Sequence, residues 1–157
     1  MIPTARYLAC CLQEDVAAAV GLGQLKHLEE FNARRRLLVA RYFELWGEDA
    51  PVRLPQRGDE GHSWHVFTPL LPLPRLSITR LQFIEAMKER GIGVGVHYPA
   101  IHLFSCYRAL GYRAGQFPNA ERIGRETVTL PLFPAMELGD VERVVQATNA
   151  ILAGARR

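Results

Sequence analysis

Cysteine is scarce in this chain of 157 residues: Cys10, Cys11 and Cys106 are all there is. Three cysteines cannot all pair within one chain, and two adjacent ones are poor partners. A disulfide scaffold is therefore excluded, and a reducing compartment is the simplest setting. Long hydrophobic runs are missing as well. No stretch approaches the ~20 apolar residues that a membrane span needs, and the first residues lack the charged start and long apolar core of a signal peptide. Leu8-Ala9-Cys10-Cys11 faintly resembles a lipoprotein cleavage site, but the apolar run before it is too short. The expected location is the cytoplasm. Nor is there an excess of one charge: 19 Lys and Arg face 16 Asp and Glu, a net charge of +3. The one dense basic run, Arg34-Arg35-Arg36, falls in a helical pattern where a solvated face explains it, so nucleic acid is not an expected partner.

The hydrophobic content of 48% with 22% charged residues is that of an ordinary globular chain. A chain of this length can form one domain that buries roughly 70% of its unfolded surface. Residues 1–14 show no period and are read as an N-terminal segment without regular order. Asp15 then opens a helix expected to run to about Trp46, with Leu28, Phe31, Leu38, Tyr42 and Leu45 as its apolar stripe. Such a helix would be ~46 Å long, whereas a compact domain of this size is roughly 40 Å across. Its first half, Val16 to Gly23, is small and apolar on every side. It is expected to project past the core and to take another helix against it, with a bend at Gly21 or Gly23 as the alternative.

Short strands are expected at Val52 to Leu54 and His62 to Leu71, the latter with Trp64, Val66, Thr68 and Leu70 alternating with His65, Phe67 and Pro69 and largely covered on both faces. Thr79 and Gln82 form a capping box for a helix that buries Leu81, Ile84 and Met87 and stops at Gly91. A strand follows through Gly93 and Gly95, glycines that mark a close approach to the main chain. Beyond it lie His97, Tyr98 and His102, then a helical stretch near Phe104 to Leu110. A helix starts at Pro118, an extended run covers Thr127 to Leu130, and a last helix capped by Asp140 buries Val141, Val144, Val145, Thr148, Ile151 and Leu152. The order predicts a small α+β sandwich, helices packed on a short sheet.

The histidines do not read as a metal site, since His62 and His65, three apart on a strand, would point to opposite faces. Cys106, four residues after His102, reads as a buried structural cysteine rather than a nucleophile. The carboxylates Glu29, Glu30, Glu85, Glu89 and Glu142 fit the solvated faces of amphipathic helices.

Several blocks in order carry a family resemblance: Gly-Leu-Gly-Gln-Leu-Lys-His-Leu-Glu-Glu-Phe-Asn-Ala-Arg-Arg-Arg (21 to 36), His-Ser-Trp-His-Val-Phe (62 to 67), Met-Lys-Glu-Arg-Gly-Ile-Gly (87 to 93), Val-His-Tyr-Pro-Ala-Ile-His (96 to 102) and Leu-Pro-Leu-Phe-Pro (130 to 134). Together they resemble the C-terminal part of the DegT/StrS-type sugar aminotransferases, enzymes of the aspartate aminotransferase fold that use pyridoxal phosphate. The resemblance covers about Asp15 to the last helix. It implies the C-terminal small domain of a fold-type I transferase, with a short, mainly antiparallel sheet and a long linking helix over residues 15–46. It also implies that the large cofactor-binding domain is absent, through a fragment or a truncated reading frame.

The family's Schiff-base lysine has no counterpart, because the only lysines, Lys26 and Lys88, lie in other blocks. No cofactor is expected in this chain alone, and no transamination by it alone; pyridoxal phosphate belongs to the complete enzyme. The family's Gly-Tyr-Asn-Tyr-like segment is replaced by Leu8-Ala9-Cys10-Cys11-Leu12-Gln13. By resemblance His97, Tyr98 and His102, with Trp64 and His65 nearby, are candidate substrate-lining positions. In the complete enzyme the amino group would pass from a donor such as glutamate to a keto-sugar nucleotide. The expected partner is a second copy or the missing N-terminal domain. The alternative is a catalytically dead module that dimerises or pairs with a full-length homologue through Val16 to Gly23.

Overall fold

The computed structural model describes residues 15–59 and 61–157. The expectations for residues 1–14, including the Leu8 to Gln13 replacement, lie outside them. The described chain is helical where long elements were expected, with α1 at Asp15–Leu25, α2 at Leu28–Trp46, α3 at Arg80–Glu89, α4 at Ser105–Arg108, α5 at Pro118–Glu126 and α6 at Leu138–Gly154.

The single helix expected over residues 15–46 is two helices. The break falls at Lys26 and His27, later than either glycine, where the His27 amide turns back to the Gln24 carbonyl at 3.0 Å. The physical reason lies in burial: α1 buries none of its residues, so no core contact dictates that it continue the axis of α2. The stripe of α2 is also shifted. Leu38, Val39, Tyr42, Phe43 and Trp46 are buried, whereas Leu28 is 43% exposed. These residues face α6 and an aromatic cluster in which the rings of Tyr42 and Phe67 stack at 4.5 Å. The Trp46 indole N–H donates to Asn149 Oδ1 at 2.8 Å, and Arg41 pairs with Glu142, so polar contacts fix the register of the α2 and α6 pair. The Tyr42 hydroxyl donates to the Pro131 carbonyl at 2.9 Å, and burial pushes its pKa up.

The last helix buries the six residues expected of it. Its cap sits three residues earlier: Glu137 is the cap and Asp140 its reciprocal partner, accepting the Glu137 amide at 2.9 Å. The capping box of Thr79 and Gln82 is present on α3. At the other end, Gly91 takes φ +71°. Its amide reaches the Lys88 carbonyl at 2.9 Å, and the Ile92 amide reaches Met87 at 3.0 Å. This is a Schellman closure, completed by burial of Met87 and Ile92 together. The buried face of α3 is Phe83 and Met87; Leu81, expected inside, is 64% exposed.

The expected sheet is replaced by isolated antiparallel bridges. Arg53 pairs with Leu70, Leu70 with Thr127, Phe67 with Leu130, and Gly95 with Thr129. The extended segments thus lie side by side in the order 53, 67–70, 127–130, 95, each antiparallel to its neighbour. No ladder extends beyond one pair among the described residues. Prolines at 51, 55, 69, 72 and 131 break these segments, and a proline has no N–H to give a ladder. The sheet part of the expectation therefore needs correction: helices lie over bridged extended segments, without a continuous sheet among the described residues.

Candidate functional site

The segment after Gly95 positions the first two candidates. A side chain at residue 95 would place its Cβ 3.1 Å from His97 Cε1. The absence of that atom lets the His97 ring fold back over the main chain, where Nδ1 lies 2.8 Å from the Thr129 hydroxyl. What approaches the backbone at Gly95 is therefore this chain's own imidazole, while the space at Gly93 is open. Tyr98 sets its ring edge-on to His97 at 4.9 Å and is 69% exposed.

A second glycine seats the next turn. A Cβ on Gly124 of α5 would lie 2.5 Å from the Ala100 nitrogen and 3.1 Å from the Pro99 carbonyl carbon. Only a glycine lets the 99–102 backbone lie directly on α5. That contact brings His102 over the first turn of the helix, where its Nε2 is 3.0 Å from Glu121 Oε1. The same oxygen accepts the Gly115 amide at 2.7 Å and the Phe117 amide at 3.5 Å. The Gly115 amide, then the His102 and Phe117 hydrogen bonds, hold the Glu121 carboxyl below its ordinary pKa, against the opposing effect of burial. Phe117 meets the His102 ring edge-on at 4.9 Å.

These contacts frame an open cavity of about 530 Å³. Tyr98, Tyr107, Tyr112 and Phe117 supply aromatic surface, His102 a polar edge, and Ile123 and Gly124 the wall on α5. Sequence reasoning did not single out Glu121, Thr129, Tyr107, Tyr112 or Phe117. Glu121 had one available signal, an acid in the first turn of a helix opened by Pro118, where backbone amides are free to be accepted.

His97, turned onto Thr129, is not among the residues that line this cavity, and the other two candidates lie elsewhere. Trp64 is buried, at φ +47°, with its ring 4.2 Å from His62 and within 6.2 Å of Phe67. Its amide donates to His62 Nδ1 at 3.0 Å. Trp64 is thus a core residue, and neither it nor the exposed His65 lines the cavity. Cys106, expected inside, is exposed, because α4 is a single turn on the surface. Among the described residues no three His, Cys, Asp or Glu side chains gather where they could hold a metal ion. None of the described helices is long and apolar enough to cross a membrane.

Residues 13–149 match the DegT/DnrJ/EryC1/StrS aminotransferase family. Among curated proteins, the chain is 35% identical over 144 residues to the spore coat polysaccharide biosynthesis protein SpsC of Bacillus subtilis, covering 90% of this chain and 37% of that one. Among solved structures, it is 32% identical to the aminotransferase TlmJ of Streptoalloteichus hindustanus, with a TM-score of 0.75, covering 91% of this chain and 37% of the other. Spr1654 of Streptococcus pneumoniae, solved in a pyridoxal phosphate form, shares the fold at 22% identity with a TM-score of 0.81, over 90% of this chain and 36% of that one. The chain thus spans little more than a third of the length of the relatives it matches.

A Schiff-base cofactor needs an amine within a cavity that can hold it. Lys26, in the turn between α1 and α2, and Lys88, near the end of α3, are both exposed, and neither lines the cavity of Tyr98 and His102. The residues described here do not fit pyridoxal phosphate as a covalently held group.

Proposed function

Because the chain belongs to the DegT/DnrJ/EryC1/StrS aminotransferase family, we propose that it is the C-terminal small domain of a pyridoxal-phosphate-dependent sugar aminotransferase. Over residues 15–157 it supplies the small domain, and a larger cofactor-binding domain supplies the lysine. The observation that carries this reading is a family match across residues 13–149 combined with coverage of 37% of a relative's length. In the complete cytoplasmic enzyme, glutamate would give up its amino group and a keto-sugar nucleotide would receive it. His97, Tyr98 and His102 are the proposed substrate-lining residues. The aromatic faces of the cavity offer apolar surface to a sugar ring, and the tyrosine hydroxyls and the His102 imidazole offer donors and acceptors to its polar substituents; His97 would act from beside it. Trp64 would act from the core, by holding the aromatic cluster, and His65 from outside this cavity.

On this reading the chain alone does not transaminate. The test is an absorbance titration with pyridoxal phosphate followed by borohydride reduction and mass mapping. The expected result is no saturable Schiff-base band and no adduct on Lys26 or Lys88; a stable adduct on either would overturn the assignment.

The exposure of α1 favours a second reading, an inactive interaction module that dimerises or pairs with a full-length homologue. Val16, Val20, Leu22 and Leu25 are 60% or more exposed, and apolar faces of that kind are rare on soluble monomers. Light scattering should then show a species larger than 17.7 kDa that Val20→Glu returns to monomer. A 17.7 kDa species alone at high concentration would sink this second reading.

A further inference from the structure

The helix α5 has two cavities, one on each side. At 3.6 residues per turn, Ala120, Ile123 and Gly124 share one face, which lines the aromatic cavity, while Arg122 and Glu126 lie on the opposite face. That second face opens on a cleft of about 810 Å³ between the segments at 49–53, 70–76 and 152–157. Its floor is apolar, with Leu71, Leu76 and Leu152 all 2% exposed or less. Its rim is arginine: Arg53, Arg75, Arg122, Arg156 and Arg157.

Five guanidinium groups face two carboxylate side chains, Asp49 and Glu126. The side chains that line the cleft thus carry an excess of three positive charges. Glu126 is already answered by Arg122 at 3.5 Å and Arg125 at 4.0 Å. Arg53, Arg75, Arg156 and Arg157 have no carboxylate within ion-pair distance among the described residues. Their backbones are nonetheless held. Arg53 exchanges both hydrogen bonds with Leu70 at 2.9 Å, Arg156 is bridged to Leu76, and the Arg157 amide donates to the Arg75 carbonyl at 3.1 Å. The arginines thus come from four separate parts of the chain and are fixed at their roots.

We propose that this cleft binds a small molecule bearing a diphosphate. Guanidinium forks match phosphate oxygens two at a time, and several of them spread around a rim suit an anion with more than one phosphate. No aromatic side chain lines the cleft, so nothing stacks on a base, and recognition falls on the phosphates and on whatever apolar group meets the leucine floor. This assignment does not rest on the proposed transferase activity.

The test is calorimetric titration of the full chain with inorganic pyrophosphate at a constant ionic strength of about 0.15 M, where unspecific surface attraction is largely screened. The expected result is saturable one-to-one binding, weakened about tenfold by Arg53→Ala, by Arg75→Ala and by Arg156→Ala, each the loss of one charged contact. Arg108→Ala, an exposed arginine of α4 outside the cleft, should leave it unchanged. The absence of saturable heat would overturn the proposal. So would equal weakening by Arg108→Ala, or sulfate binding as tightly as pyrophosphate. Should a cleft variant fail to fold, amide shifts of the unaltered protein decide: pyrophosphate should move those of Arg53, Leu71 and Arg156, and movement confined to the aromatic cavity would refute the site.

Discussion

Replacing Gly124 by alanine sets two effects of known sign against each other. In a helix interior alanine is favoured over glycine by about 1 kcal/mol. The added Cβ, however, would stand 2.5 Å from the Ala100 nitrogen and 3.3 Å from its Cα. Both are backbone atoms, and non-bonded heavy atoms are comfortable only at about 3.5–4.0 Å. The 99–102 segment would have to lift by roughly 1 Å, an overpacking change that costs typically 1–3 kcal/mol. We expect the clash to win, with a net loss of about 1 kcal/mol and a fall in Tm of roughly 2–4 °C for a chain of this size. Gly154→Ala is the control: it too is helical, and nothing lies within 4 Å of its Cβ, so stability should hold or rise by up to about 1 kcal/mol. Thermal and urea unfolding of both variants, with amide shifts of residues 99–102, make the comparison. A Gly124→Ala variant as stable as Gly154→Ala, with those shifts unmoved, would refute the argument that glycine is there to admit the site backbone.

Gly91→Ala should cost about 1–2 kcal/mol, because φ +71° forces a side chain into the left-handed region; a urea midpoint unchanged at constant m would contradict this. Glu121 gives a pH dependence of defined sign. Its folded pKa is depressed, so the stability it contributes is present above the ordinary glutamate value of about 4.3 and is lost as pH falls through the lower folded value. Glu121→Gln should flatten that acid limb of the unfolding curve, and an identical pH profile in the variant would show that the carboxylate is not what clamps the 111–117 loop to α5.

The parts of the fold that local chemistry decides were legible in the chain itself. The six buried positions of α6 follow a helical period without interruption. Both ends of α3 are set by residues within a few positions, Thr79 with Gln82 at one end and Gly91 at the other. Where tertiary contact decides, sequence reasoning failed in a consistent way. Residues 15–46 follow a helical pattern that Gly21 and Gly23 weaken without breaking, and the lack of anything packed on α1 accounts for its separation from α2. The alternation across 62–71 is real as a burial pattern, since Phe67, Pro69 and Leu71 are inside while Val66, Thr68 and Leu70 are less so. Cover on both faces was expected, and only one face is fully inside. Trp64 departs from this parity: with φ +47° it leaves the pleat, so its side chain joins the core from a position whose parity would place it outside.

The candidate site divides along the same line. His97, Tyr98 and His102 were visible because they are close in sequence. Their partners Thr129 and Glu121 were not, because each stands 19 or more positions away and is an ordinary residue in its own element. The two glycines tell the same story from both sides. Gly95 could be suspected as a close-approach position, since glycine weakens an extended run unless something must come near. Gly124 could not, because a glycine in a short helix reads as a loss of propensity, and the backbone that needs the space arrives from residues 99 and 100. A glycine marks a close approach in sequence only where its own element would suffer from it. Here both marks fall under one segment, residues 97–102, so the substitution that moves that segment without touching His97, Tyr98 or His102 is at Gly124. A Gly124→Ala variant that unfolds earlier yet keeps the Tyr98 and His102 environment would separate the seat of the segment from the chemistry it carries.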